Sequence, residues 1–301
     1  MKKLYFLAIF TAIALTVCAQ KNPVELRLNL EKGKTYTQTT DIQMNMKMEV
    51  MGMKMDTDIP MSMTFSMKVV DIQDGNFIIE TTYDAFKMTF NIMGQEMGFD
   101  SANPDPTNPN TQIFSSFIGK SFTMILDNRQ NIIAIEGLDK LLASIYDNET
   151  VSEEQKELMN DVLQGFFSEE KMKENFGRSN IVFPKEPVYK GFTWTSDQTI
   201  NMQGITMQVK NTYKVEKITA TTVEISLVSD YTMDMSITQN EVQMNVTMES
   251  AQSTGKYIID LATGWTQSAQ SNTNMKMVMT MNVGGTEMII PAQITAKMTM
   301  K

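Results

Sequence analysis

The sequence predicts a mainly β protein built from two related antiparallel, curved, half-barrel-like sheet units with a short helical insert between them. Methionine alternates with other residues in Met44–Met48, Met51–Met55 and Met275–Met281, which is the side-chain period of a β-strand. Two-residue turn sequences separate several of these runs, and helical spacing appears between the two halves. These three observations together predict the fold class.

Residues 1–19 have the pattern of a secretory signal peptide. Two lysines precede an apolar run that is too short for an ordinary membrane span, and small residues follow it. We expect cleavage between Ala19 and Gln20, which predicts an exported protein of the periplasm, the cell envelope or the extracellular space. The alternative is a lipoprotein anchored through Cys18, although the bulky residue before that cysteine argues against it.

The composition excludes several kinds of chemistry. The chain contains 29 methionines, no histidine and one cysteine, Cys18, which the expected cleavage removes. Disulfides, zinc–cysteine sites, cysteine nucleophiles and histidine bases are therefore excluded from the mature chain. The formal charge of −9 becomes −11 without Lys2 and Lys3, since residues 1–19 contain no acid. This charge disfavours nucleic acid and anionic lipid surfaces as partners.

No feature of the sequence predicts catalysis. Carboxylates are the remaining general bases, and nothing in the sequence brings two of them together. Glycine-rich phosphate loops, nucleophile elbows and calcium loops are also missing from the sequence. We therefore expect no enzymatic activity, no cofactor and no metal site. No second apolar run approaches membrane-helix length, so we do not expect an integral membrane protein.

Turn sequences give the register of a four-stranded meander over about residues 35–100. The turns are Met51-Gly52, Asp74-Gly75 and Met93-Gly94. The first turn places Met48 opposite Met55 and Lys47 opposite Asp56. One face of the predicted meander is therefore apolar, and the other is polar and charged.

The second half repeats this pattern. Its turns are Gln203-Gly204, Gln239-Asn240 and Gly284-Gly285, of which the second places Met235 opposite Met244. Lys32–Tyr36 aligns with Lys190–Trp194, and Lys68-Val69 aligns with Lys214-Val215. These alignments predict an internal duplication.

Between the halves, Leu138, Leu141 and Leu142 have helical spacing, and Ser152–Gln155 has the pattern of a helix start. A further short helix is expected over about residues 169–176. We predict a signal peptide at 1–19, a first β repeat at 20–135, a helical insert at 136–178 and a second β repeat at 179–301.

The methionine-rich sheet face is the candidate ligand site. Methionine is unbranched and polarizable, so a face lined with it can deform around an acyl chain or an apolar partner. Two alternatives stay open: a sealed methionine-rich core in a structural envelope protein, and a soft-metal binder, because thioethers prefer Cu(I). The predicted ligand-lining residues are Met44, Met46, Met48, Met61, Met63, Met88, Met233, Met235, Met277 and Met279.

Several segments carry a family resemblance. They are the two Lys-Gly-x-Thr-Tyr/Trp starts, the Met-x-Met strands, Met93–Met97 and the approach Pro184–Trp194. Over nearly all of the mature chain these resemble an exported Bacteroidota family, domain of unknown function 6263. The resemblance implies export and a β-rich fold, and it supplies no catalytic residues. It also implies that Asp100-Ser101-Ala102 is an O-glycosylation motif of that phylum, with the glycan on Ser101.

Together these inferences predict an exported, non-enzymatic envelope or periplasmic protein of unspecified role. The expected partner is an apolar small molecule, such as a lipid, or another envelope protein.

Overall fold

The computed structural model describes residues 22–92, 95–104, 111, 115–146, 168–202, 205–239, 242–283 and 286–301. The predicted cleavage site at Ala19 and Gln20, Cys18, and the helix start at Ser152 lie outside these residues. The strands are β1 (Thr35–Val50), β2 (Met53–Gln73), β3 (Asn76–Ile92), β4 (Gln95–Asp100), β5 (Ser121–Leu126), β6 (Ile132–Glu136), β7 (Thr193–Met202), β8 (Ile205–Ile218), β9 (Thr222–Gln239), β10 (Val242–Asp260), β11 (Thr266–Val283) and β12 (Thr286–Met300).

Two helices lie between β6 and β7 within the described part of the chain, α1 (Leu138–Tyr146) and α2 (Glu169–Ser179). Ser168 caps α2, because its hydroxyl accepts a hydrogen bond from the Lys171 backbone nitrogen. Both helices agree with the helical spacing in the sequence. Neither of them, nor any other described helix, is long and apolar enough to cross a membrane.

All twelve strands belong to one antiparallel sheet. Its order is β6-β5-β3-β2-β1-β12-β11-β10-β9-β8-β7, with β4 paired to the other end of β3. Among the described residues the sheet is open, with β6 and β7 at its edges. The predicted mainly β, antiparallel fold is confirmed. The strands of the two predicted units adjoin in the middle, where β1 pairs with β12.

The first predicted hairpin is confirmed over its whole length, with Met48 opposite Met55 and Lys47 opposite Asp56. Met51 and Gly52 both have positive φ, 53° and 77°. Positive φ at both central residues is the type I′ turn, whose twist matches that of the flanking strands. Methionine is a poor residue for this conformation, so the turn carries local strain.

Met51→Asn is expected to stabilise the protein by ~0.5–1 kcal/mol, since asparagine tolerates positive φ better than methionine does. Met51 is 80% exposed, so the change removes little packing. Urea unfolding would measure the effect. Met53→Asn is the matched control, because Met53 is also exposed but lies in extended β2. An equal gain in both variants would show that the turn conformation is not the cause.

In the second hairpin, the pairs distant from the turn are also as predicted, with Met63 opposite Phe86. It contains two bulges that the sequence did not predict. One leaves Val70 as the extra residue on β2, and the other leaves Asp84 as the extra residue on β3. Each strand therefore gains one residue, the two shifts cancel, and the later pairs return to the predicted register.

The predicted register of β9 and β10 is wrong by two positions. Met235 lies opposite Val246 instead of Met244, and Met244 lies opposite Ile237. The cause is that Gln239 still pairs with Val242, so the connection begins one residue later than predicted. A one-residue shift of the turn moves every pairing by two positions, so Met235 stays on its predicted face.

One part of the apolar sheet face carries the core. In the first half, Phe65, Met67 and Val69 pack in one cluster with Leu138 of α1 and Met172 of α2. In the second half, segment 181–188 supplies the cover. Its buried side chains Ile181, Phe183 and Val188 form a second cluster with β8, β9 and β10. Sequence analysis did not predict the role of this proline-containing segment in the core.

Segment 22–31 joins the two clusters. Leu26 is buried in the second cluster, whereas Leu28 and Leu30 are buried in the first. Its backbone is held by the turn after β10, where Asn29 N donates to Thr263 O at 2.8 Å, and by Asn128 O, which accepts from Leu28 N at 2.8 Å. The segment therefore connects parts of the core that belong to different halves of the sheet.

The aligned starts of the two halves have matching hydrogen bonds. Gly33 N donates to Val69 O and Gly191 N donates to Val215 O, each at 2.7 Å, and both glycines have a φ of +87°. These are the positions that the sequence alignment equated. The duplication itself, and the division at residues 20–135, 136–178 and 179–301, stay predictions.

Candidate functional site

Cross-strand pairing places the predicted ligand-lining methionines on one face of the sheet. Side chains directly opposite each other in neighbouring strands share a face. One such row runs from Met55 through Met48, Ala292 and Met277 to Met248. We call this surface the methionine face; it contains Met44, Met46, Met48, Met61, Met63, Met88, Met233, Met235, Met277 and Met279.

The methionine face is not sealed like the core. The structure describes the side-chain burial of nine of the ten methionines, all except Met235, and each of the nine is half-buried. By contrast, Met67, Met124 and Met172 are buried in the core. Met63 packs against the first cluster, and Met233 packs against a third, smaller cluster of Ile200, Met207 and Val209. The other half-buried methionines belong to neither main cluster and lie farther along the strands, towards the β1–β2 and β9–β10 connections. The same face is therefore closed at one end of the strands and partly open at the other.

Short side chains lie between methionines at the centre of this face. Ala292 of β12 is directly opposite both Met48 of β1 and Met277 of β11, and it is buried. Strands are spaced by ~4.8 Å, so the two methionines are separated by roughly 10 Å at their backbones. The flexible thioether side chains can cover the alanine or part above it, which gives a deformable apolar surface.

The opposite face of the sheet is polar. Lys47 and Asp56 form an ion pair at 3.2 Å, and Asn45 Nδ2 donates to Asp56 Oδ1 at 2.7 Å. Hydrogen bonds from Asn45 and Lys47 hold the pKa of the Asp56 carboxyl below its usual value. An open cleft of about 480 Å³ is lined by residues of this region, including Lys54 and Glu249, and also by Met48 and Met277 of the methionine face. The balance of lysines and acids in it is typical of a solvated sheet face.

The acids that alternate with apolar residues in the sequence lie apart in the sheet. Glu80 lies opposite Lys68, Asp84 occupies a bulge of β3, and Asp230 lies on β9 opposite Lys210. Within the described ranges, no three His, Cys, Asp or Glu side chains are grouped as a metal site would require. The structure thus brings no pair of these acids together for general acid–base work.

Ser101, the predicted glycan acceptor, follows β4. Its hydroxyl accepts a hydrogen bond from Phe86 N at 3.0 Å, and its backbone nitrogen donates to Phe86 O at 2.9 Å. Ser101 is half-buried. Its hydroxyl therefore helps to end the β3–β4 pairing, and glycosylation of it stays a prediction.

Sequence analysis missed a set of buried polar side chains on the same side of the sheet as the methionines. They are Asn211, Ser229 and Ser253, on β8, β9 and β10. Each of these three residues lies an even number of positions from apolar residues of its own strand, and this spacing would have placed it on the apolar face. The signal was passed over because serine and asparagine are usually exposed.

The chain is similar to one family of proteins over most of its length. The model of a family of unknown function, DUF6263, matches residues 74–266. No curated protein matches the chain. Among solved structures, Pseudomonas aeruginosa OccK2 (OpdF) is 5% identical and OccK5 (OpdH) is 6% identical; each match covers 90% of this chain and 99% of that chain, with a TM-score of 0.20. Vibrio cholerae OmpT, an outer membrane protein, is 6% identical, with 89% and 100% covered and a TM-score of 0.19. At TM-scores this low, nothing about this chain follows from those structures.

Proposed function

Because the chain belongs to DUF6263, a family of unknown function, its role has to be argued from its own residues, and we propose that it binds an apolar, lipid-like ligand or partner on the methionine face. In this proposal it is an exported, non-enzymatic protein of the periplasm or cell envelope. The observation that carries the proposal is the half-burial of nine methionines on one face of the sheet.

Burial energetics support this use of the face. Fully burying a methionine side chain contributes ~1.5–3 kcal/mol, and part of that gain is still available where methionines are half-buried. A ligand that covers several of them would gain from each. Because methionine has three rotatable bonds, the face can adapt to ligands of different shape.

The proposed location and the absence of catalysis rest on the sequence. The leader over residues 1–19 favours export, and the mature chain lacks thiol and imidazole groups. The methionine face carries thioethers and hydrocarbon, which suit binding better than proton transfer.

Purification from the native host, followed by native mass spectrometry and lipid extraction, tests the proposal. A co-purifying acyl lipid at defined stoichiometry is the expected result. Retained Cu(I) would favour a soft-metal binder instead, because cross-strand thioethers are ligands that Cu(I) prefers. Protein that is repeatedly free of both would favour a structural envelope protein.

Met277→Glu is expected to weaken the binding of dodecane by at least about tenfold, because an unpaired carboxylate beside the ligand would have to be desolvated. Binding would be followed by the NMR shifts of ¹³C-labelled methionine methyl groups. Thr280→Glu is the matched control, since Thr280 lies on the same strand β11 but on the opposite face. Equal weakening in both variants, with unchanged melting temperatures, would argue against the methionine face as the site.

A further inference from the structure

A row of small polar side chains crosses the apolar face in the second half of the sheet. Ser196, Asn211, Ser229, Ser253 and Thr273 are directly opposite one another on the five adjacent strands β7, β8, β9, β10 and β11. Successive opposite residues share a face, so this polar row lies on the same side of the sheet as the methionine face. One end of the row adjoins Ala296 of β12, which is opposite Met44.

The centre of the polar row is buried. Asn211, Ser229 and Ser253 are 5%, 3% and 4% exposed. Ser229 Oγ donates to Asn211 Oδ1 at 2.6 Å, and the hydroxyls of Ser253 and Thr273 are 2.9 Å apart. The Asn211 amide nitrogen, which carries two N–H donors, donates to no acceptor among the described residues. An acceptor supplied by a ligand would pair this donor, and a donor that is left unpaired away from water costs free energy.

The rows on both sides of the polar row are mostly apolar or aromatic, with Gln198 and Ser271 as uncharged polar members. On the core side, Tyr213 and Leu227 are buried opposite each other. On the other side lie Val209, Tyr231 and Met275, followed by the row of methionines. Among the described positions, no charged side chain occupies this face within two rows of the polar row. Neutral donors without a cation suit an uncharged acceptor, because a desolvated carboxylate or phosphate would be unpaired here.

The available length fits a single acyl chain. From Thr273 in the polar row to Met281 on β11 is eight residues, or roughly 27 Å of strand. One leaflet of a bilayer is half of the ~30 Å hydrocarbon core, so an acyl chain needs about 15 Å. The methionines between the polar row and the β11 end can therefore cover one chain over its whole length.

We propose that the polar row binds the ester or amide carbonyl of a neutral, single-chain acyl lipid whose hydrocarbon chain lies on the methionine face. The Asn211 amide donates to the carbonyl oxygen, and the methionines beyond the row contact the chain. This inference rests on the proposed apolar-ligand function and deepens it, because it names the ligand class and the orientation of the ligand.

The test compares 1-monolauroylglycerol with dodecane, which share an apolar chain and differ in the ester head group. Binding of both to the full mature chain is measured through ¹³C-methionine methyl shifts. The test variant is Asn211→Leu/Ser229→Ala, which removes both partners of one buried hydrogen bond, a change that is often close to neutral for folding. The matched control, Thr39→Val/Thr64→Val, removes a hydroxyl pair 3.0 Å apart on the opposite face.

The test variant is expected to bind 1-monolauroylglycerol about tenfold more weakly than the wild type does, with dodecane binding unchanged. The control variant should bind both probes as the wild type does. If the test variant unfolds, Asn211→Ala/Ser229→Ala replaces it, because it removes the same amide donor and its partner with smaller side chains, and the same result is expected. Undiminished ester binding in a folded polar-row variant would overturn the inference and leave the apolar-ligand proposal standing. If the wild-type protein binds neither probe, both the apolar-ligand proposal and the inference about the polar row are wrong.

Discussion

Gly264→Ala is expected to destabilise the protein by about 3 kcal/mol or more. Gly264 has a φ of +69°, and an added Cβ would clash with Arg27 O and lie 2.6 Å from Arg27 C and 2.9 Å from Leu28 N. These are backbone atoms of the segment 22–31, which cannot swing aside as a flexible side chain could. The segment would have to lift, and Leu26, Leu28 and Leu30 would lose their burial in the two clusters.

Gly191→Ala separates the clash from backbone strain. Gly191 also has a positive φ of +87°, but an added Cβ there would meet nothing within 4 Å. Its expected cost is therefore the strain alone, ~1–2 kcal/mol. Urea unfolding measures both variants, and hydrogen exchange at Leu28 and Asn29 should rise only in Gly264→Ala. Equal costs for the two variants would show that the contact with segment 22–31 contributes little.

Phe183→Ala is expected to cost ~3–5 kcal/mol, because it opens a cavity where a large side chain is fully buried. Phe183 is 0% exposed, in the cluster that covers the second half of the sheet. Its backbone is also fixed: Phe183 N donates to Arg129 O at 3.0 Å, and Arg129 Nε donates to Phe183 O at 2.8 Å. The surroundings therefore cannot easily collapse into the space.

Two comparisons check the interpretation of Phe183→Ala by thermal and urea unfolding. Phe183→Leu should cost clearly less, since more of the volume stays filled. Ile289→Ala should change stability by less than ~0.5 kcal/mol, because Ile289 is 63% exposed. A small loss in Phe183→Ala would mean that segment 181–188 is not an essential cover of the sheet.

Local patterns in the sequence predicted the hairpins well. The alternation of methionine with polar residues, together with two-residue turns, predicted the first hairpin pair by pair. The same reasoning predicted a register for β9–β10 that is wrong by two positions. Gln239 continues strand β9, and the residues of this connection do not favour one turn position over the next. The two bulges at Val70 and Asp84 could not be predicted, because a bulge depends on contacts with a third strand or a covering layer.

The candidate site was predicted only in part. Once the strand register was known, the alternation of side chains between the two faces of the sheet was enough to place the methionines on one face. Their degree of burial was not predictable, because it depends on how far α1, α2 and the segments 22–31 and 181–188 extend over the sheet. The polar row could not be found either, since its five members are far apart in the sequence and meet only through four separate strand pairings.

The sequence by itself determined the β-rich class, the faces of the strands and most hairpin registers, since side-chain alternation and turn chemistry act over a few neighbouring residues. Only the tertiary structure decided that β1 and β12 join the halves into one open sheet, and that one end of its apolar face is covered while the methionine end is half-exposed. These features depend on contacts between residues far apart in the chain. Their free energy comes from burying whole surfaces together, which no local pattern records.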